Sequence, residues 1–166
     1  MKSISVSISK KWLAISAAVV ALAVNGSSKI FAADDLKLRP GVSFTQDIDT
    51  GFPIVATDFD NASIDPNLPT IIFFGAACDL NTNRQAKRLV DIYHKIPKGQ
   101  VKFIVIDVDH PANEDAKKLI RTYYSPPGKT GYIPFEVILD KSGKAVWSQI
   151  GEVEISVIKG QLDKVL

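Results

Sequence analysis

The chain has 166 residues, 46% of them hydrophobic and 23% charged, with a formal charge of +2 and a single cysteine. These values fit one globular domain with a proper core and exclude a disordered or collagenous sequence. One cysteine excludes an internal disulfide, so stability has to come from burial.

Lys2, Lys10 and Lys11 precede the thirteen-residue apolar run "WLAISAAVVALAV" (12–24), which is followed by polar residues and then "IFAAD". This pattern reads as a cleavable secretory signal over residues 1–33, with cleavage after Ala32 or Ala33. The run is short of the roughly 20 residues a membrane-spanning helix needs, and no cysteine follows it that could carry a lipid. The expected location is the periplasm or the cell exterior, with no membrane attachment after cleavage. Residues 1–33 hold four lysines and no acid, so removing them takes the formal charge from +2 to −2. The remaining lysines are scattered, which leaves no basic stripe for nucleic acid.

Residues 34–68 form an extension with short apolar runs at Val42–Phe44 and Ile54–Ala56, broken by Pro40, Gly41, Gly51, Pro53 and Pro66. One or two short strands are expected there. Asn61-Ala62-Ser63 matches a glycosylation acceptor, a pattern common by chance.

From residue 69 to 166 the pattern is that of a single α/β domain. "TIIFFGA" (70–76) is continuously apolar, as in a strand buried on both faces. Ala86, Leu89, Val90, Tyr93 and Ile96 recur at helical spacing, with "DLNTN" to cap the start and "PKG" to stop the end. "VKFIVIDVD" (101–109) is a second buried strand, and Pro111 is expected to open a helix with Ala116, Leu119, Ile120 and Tyr123 on one face. This βαβα unit implies parallel strands. After "SPPGKTG" come two extended runs either side of Asp140–Gly143, an antiparallel hairpin, and then a terminal helix with Ile155, Ile158, Leu162 and Val165 inward.

The order βαβα, hairpin, helix, with a cysteine after the first buried strand, resembles the thioredoxin-like superfamily. "PTIIFFGAAC" is similar to that family's strand leading to the active-site cysteine. "YIPFEVILDKSGKAV" is similar to its segment carrying a cis-proline, and "IGEVEISVIKGQLDKVL" to its closing glycine and helix. The resemblance implies a central mixed sheet flanked by helices, with Cys78 at the N-terminus of the first helix facing a cis Ile133-Pro134 bond. Members usually carry Cys-x-x-Cys, whereas here Asn81 stands at the second cysteine, Ala77 at the aromatic position before the first, and Ile72 at the buried acid position.

A helix start favours a thiolate through its unpaired N–H groups, but the adjacent negative charge of Asp79 opposes this. Without a second thiol, release of a mixed disulfide requires an outside thiol. The expected function is therefore that of an exported module engaging another polypeptide around Cys78, Ala77, Asn81, Ile133 and Pro134, without autonomous dithiol turnover. The alternative is a monothiol thiol-disulfide oxidoreductase whose mixed disulfides are resolved by a redox partner protein, glutathione or another small thiol. A Cys78-linked dimer and a buried, inert Cys78 are also open. No cofactor is expected. His94 and His110 are the other soft-metal ligands; His94 should point away from Cys78, leaving two ligands, too few for a structural metal site. "FFGAAC" lacks the threonine and proline that precede a peroxiredoxin's reactive cysteine. Tyr123 and Tyr124 are candidates to line the approach to Pro134, with core packing the favoured role.

Overall fold

The computed structural model describes residues 35–56, 62–125 and 131–166. The signal-like segment, Asn61 of the acceptor tripeptide and most of the "SPPGKTG" loop lie outside them.

Two short strands, β1 (Lys37–Leu38) and β2 (Ile54–Val55), pair antiparallel. The main sheet comprises β3 (Thr70–Gly75), β4 (Lys102–Asp107), β5 (Phe135–Leu139) and β6 (Ala145–Ile150), in the order β4-β3-β5-β6. β3 runs parallel to β4 and antiparallel to β5, and β6 returns antiparallel to β5. The helices are α1 (Leu80–Lys95), α2 (Glu114–Leu119), which continues into a π-helical turn over Ile120–Tyr124, and α3 (Ile155–Leu162). This is the thioredoxin-like α/β arrangement expected from the sequence, with a mixed sheet and helices on both faces.

The continuous apolar runs are explained by two cores. Ile71 and Phe73 point to one face, where they meet Ala86, Leu89 and Ile92 of α1 and Ile158 and Leu162 of α3. Ile72 and Phe74 point to the other, against Ile104, Ile106, Val137 and Leu139 and the helical segment carrying Ala116 and Leu119. Successive side chains of a strand alternate between faces, so a strand covered on both has no polar positions to spare. Leu36, Phe52 and Ile54 of the N-terminal extension join the first core, so the extension is part of the packed body.

The extension holds two short strands, within the one or two expected; the first is at Lys37–Leu38, where Leu36 is anchored in the core and Arg39 N–H donates to Pro53 O at 2.8 Å, and the apolar run Val42–Phe44 forms none. One expectation is corrected. The second helix begins at Glu114 rather than at Pro111, because Asn113 caps it, its side chain accepting the Ala116 N–H at 2.8 Å. The hairpin turns as expected: Asp140 Oδ1 accepts the N–H groups of Ser142 and Lys144, and Gly143 takes the left-handed conformation (φ +79°) that favours glycine.

Candidate functional site around Cys78

The register of the sheet decides which residues meet. Gly75 ends β3, opposite Asp107 of β4, and Phe74 pairs with Phe135 of β5. The segment Ala76–Asn81 therefore leaves the carboxyl end of β3 beside the point where Ile133-Pro134 leads into β5. The Ile133-Pro134 bond is cis, Pro134 is buried and Ile133 half-buried. The Pro134 carbonyl accepts the N–H of Gly151 at 2.8 Å, which fixes this entry to the end of β6. Ala77 is half-buried, and Cys78 and Asn81 are exposed.

Cys78 lies just ahead of the helix, not inside its first turn. Asp79 is the N-cap: its Oδ2 accepts the Thr82 N–H at 2.6 Å, a role to which a carboxylate is better suited than a thiol. The turn from β3 into the cap is made by Cys78 itself, with φ +60°, a conformation that side chains other than glycine's rarely adopt. A second carboxylate reaches the same place from far along the chain, as Asp47 Oδ1 accepts the Leu80 N–H at 2.8 Å. Two of the donors that a helix start leaves unpaired are thus held by acids.

Gly75 allows this close arrangement. A Cβ there would lie 2.4 Å from Cγ2 of Thr82, which is itself fully buried. On the other face, the Tyr124 ring stacks on Phe74 with centroids 5.4 Å apart and lies 6.3 Å from Phe135. Tyr124 also packs so tightly on Gly131 that a Cβ there would meet its ring at 2.5 Å. Tyr123 donates its hydroxyl to Gly143 O at 2.9 Å. Both tyrosines are thus fixed by packing, Tyr124 next to the segment that leads to Pro134.

Ile72 is buried in the second core, but a buried acid is present on the adjacent strand. Glu136 is 0% exposed, and no hydrogen bond of good geometry reaches either carboxyl oxygen. Burial pushes this carboxyl up to about 7, against the opposing pull of the Gln85 amide and the Arg88 charge on α1. The signal was present in the sequence as a lone acid inside the apolar strand "FEVIL", but nothing local gives its surroundings.

His110 is exposed beyond the carboxyl end of β4, its Nδ1 3.6 Å from Asp107 Oδ2. It lines a cavity of about 300 Å³ with Arg39, Phe52 and Ile54. His94 is exposed in the last turn of α1, its ring edge-on to Tyr93. Among the described residues, no three His, Cys, Asp or Glu side chains are grouped to hold a metal, and no helix is long and apolar enough to cross a membrane.

No protein-family model matches the sequence, and no curated protein does. Among solved structures, the chain is similar to the thioredoxin preprotein of Schistosoma mansoni, with 17% identity over 61% of this chain and 82% of that one and a TM-score of 0.47. It is similar to an oxidised thioredoxin of Arabidopsis thaliana, with 17% identity, coverage of 60% and 76% and a TM-score of 0.45. A mutant thioredoxin of Halobacterium salinarum shows 14% identity, coverage of 58% and 74% and a TM-score of 0.46.

Proposed function

We propose that this chain is an exported thioredoxin-like module, working in the periplasm or outside the cell, that engages another polypeptide at the surface formed by Ala77, Cys78, Asn81 and the Ile133-Pro134 segment. One observation carries the choice of binding over turnover: Asp79 and Asp47 occupy the donors at the head of α1, where a reactive thiolate would otherwise be held. Asn81 provides no second sulfur, so a client joined to Cys78 has no internal route of release.

The exposure of Cys78 favours one second reading, a monothiol exchange protein. There the Cys78 thiolate attacks a client disulfide, forms the mixed disulfide and expels the other client sulfur as thiolate. One external thiol such as glutathione then frees the client and remains on Cys78, and a second one regenerates Cys78 and leaves as the oxidised dimer.

The two readings part on the rate of exchange between Cys78 and a small disulfide. A rate no greater than that of an unstructured cysteine peptide, together with client capture that survives Cys78→Ser under photo-crosslinking from position 81, supports the binding module. Faster exchange, with capture lost in Cys78→Ser, supports the monothiol enzyme.

A further inference from the structure

The segment between β1 and β2 adds nothing to the main sheet, yet it is fastened across the head of α1. The Ser43 carbonyl accepts an N–H of the Asn83 side chain at 3.0 Å, and the Phe44 carbonyl accepts the Arg84 Nε–H at 3.1 Å. Lys87 Nζ stands 5.5 Å from the centroid of the Phe44 ring. Asp47 completes the attachment at the Leu80 N–H. Between these points Ser43 Oγ accepts the N–H groups of Thr45 and Gln46, a local turn that brings Phe44 and Asp47 back onto one helix.

Every one of these contacts is polar or cation-π. Each contributes only a small part of what holds a whole domain together. The residues from Thr45 to Asp49 are exposed, and Phe44 is only half-buried. Such a segment can leave while the cores stay packed. What it would uncover is a compact set of donors and cations: the Leu80 N–H, the buried amide of Asn83, the Nε–H of Arg84, whose Nη1 pairs with Glu152 at 3.4 Å, and Lys87.

We propose that residues 43–47 are a displaceable strap over the face of α1 that adjoins Cys78 and Asn81, and that a client segment extends onto this face by taking the strap's place on Leu80, Asn83, Arg84 and Lys87. The segment that displaces it is acidic and makes a similar turn, with an aromatic residue three positions ahead of a carboxylate. It lays two backbone carbonyls on Asn83 and Arg84, its ring on Lys87 and its carboxylate on the Leu80 N–H. This rests on the polypeptide-binding function proposed above and names the chemistry of that client.

The test uses a synthetic peptide of the strap's own sequence, residues 41–49, titrated into isotopically labelled protein while the amide signals of Leu80, Asn83 and Arg84 are followed. The full chain is compared with a variant carrying Phe44→Ala and Asp47→Ala. A strap closed nine-tenths of the time weakens apparent binding of a competitor about tenfold, so the variant should bind the peptide about tenfold more tightly than the unaltered chain. Arg84→Ala added to that variant should remove the gain, and Thr45→Ala with Gln46→Ala should bind as the unaltered chain does. Thermal unfolding confirms that each protein is folded. Equal affinity for the unaltered and strap-weakened chains, or no binding to either, overturns the strap. Client capture at Cys78 is scored separately, so that result leaves the proposed function standing or falling on its own experiment.

Discussion

Gln85 Oε1 accepts the backbone N–H of Val153 at 2.8 Å, tying the second turn of α1 to the residues that lead from β6 into α3. Both partners are buried, and Arg88 braces the same oxygen while pairing with Glu152 at 2.5 Å. An unpaired buried N–H costs about 1–3 kcal/mol. Gln85→Met keeps the length of the side chain and loses the acceptor, so it should lower unfolding stability by that amount, read from urea denaturation. A loss below about 0.5 kcal/mol would show that water replaces the bond.

Glu136 gives the stability of this protein an unusual pH dependence. Its carboxyl titrates near 7 in the folded chain and near the usual 4.5 when unfolded. Between those values the unfolded state has released its proton and the folded state has not, so stability falls as pH rises. The contribution is fully favourable below about 4.5 and fully lost above about 7, a difference of about 3 kcal/mol. Unfolding free energies from urea denaturation at pH 5 and pH 8 should differ by most of this amount beyond the contribution of other groups, since pH 5 already lies above the unfolded value, and the excess should vanish in Glu136→Gln. An identical pH profile in that variant would assign the dependence elsewhere.

Much of the fold was legible because its signals are local. The apolar runs at 70–76 and 101–109 could belong only to strands covered on both faces, and Asp140–Gly143 could only turn. What escaped was set by distant contacts. Of the two apolar runs in the extension, Ile54–Ala56 contributes a strand and Val42–Phe44 does not, because the carbonyls of Ser43 and Phe44 are taken by Asn83 and Arg84, 40 residues on. The site shows the same division. The sequence placed Cys78 near a helix start, but Asp47, 33 residues earlier, has no signature that it would cap that helix. Glu136 is visible as an acid in an apolar run, and its lack of partners appears only once α1 lies over it.

Gly75 should tolerate no side chain. A Cβ there lies 2.4 Å from Thr82 Cγ2 and 3.2 Å from the Phe73 ring, both in the packed core. Overpacking of this kind costs about 1–3 kcal/mol, and Gly75→Ala should lose that much. Thr82→Ser removes the offending methyl and keeps the hydroxyl, so the double variant should recover most of the loss. If Gly75→Ala is neutral, or the serine gives no rescue, the approach of α1 to β3 is looser than described.

Cys78 offers a test of what its backbone, apart from its sulfur, contributes. With φ at +60° it pays the cost that any Cβ meets in the left-handed region, about 1–2 kcal/mol. Its side chain is exposed, so substitutions change packing little and the backbone term dominates. Glycine escapes the steric cost but brings extra freedom to the unfolded chain, so Cys78→Gly should match the parent or exceed it by up to about 1 kcal/mol. Asparagine, which tolerates this conformation, should follow closely. A β-branched residue is the most hindered there, and Cys78→Val should fall about 1–2 kcal/mol below the parent. The order Gly, Asn, Cys, Val in urea midpoints would fix the turn as left-handed in solution. Equal midpoints for glycine and valine would mean that the chain enters α1 by another conformation, which would also move the thiol away from the head of that helix.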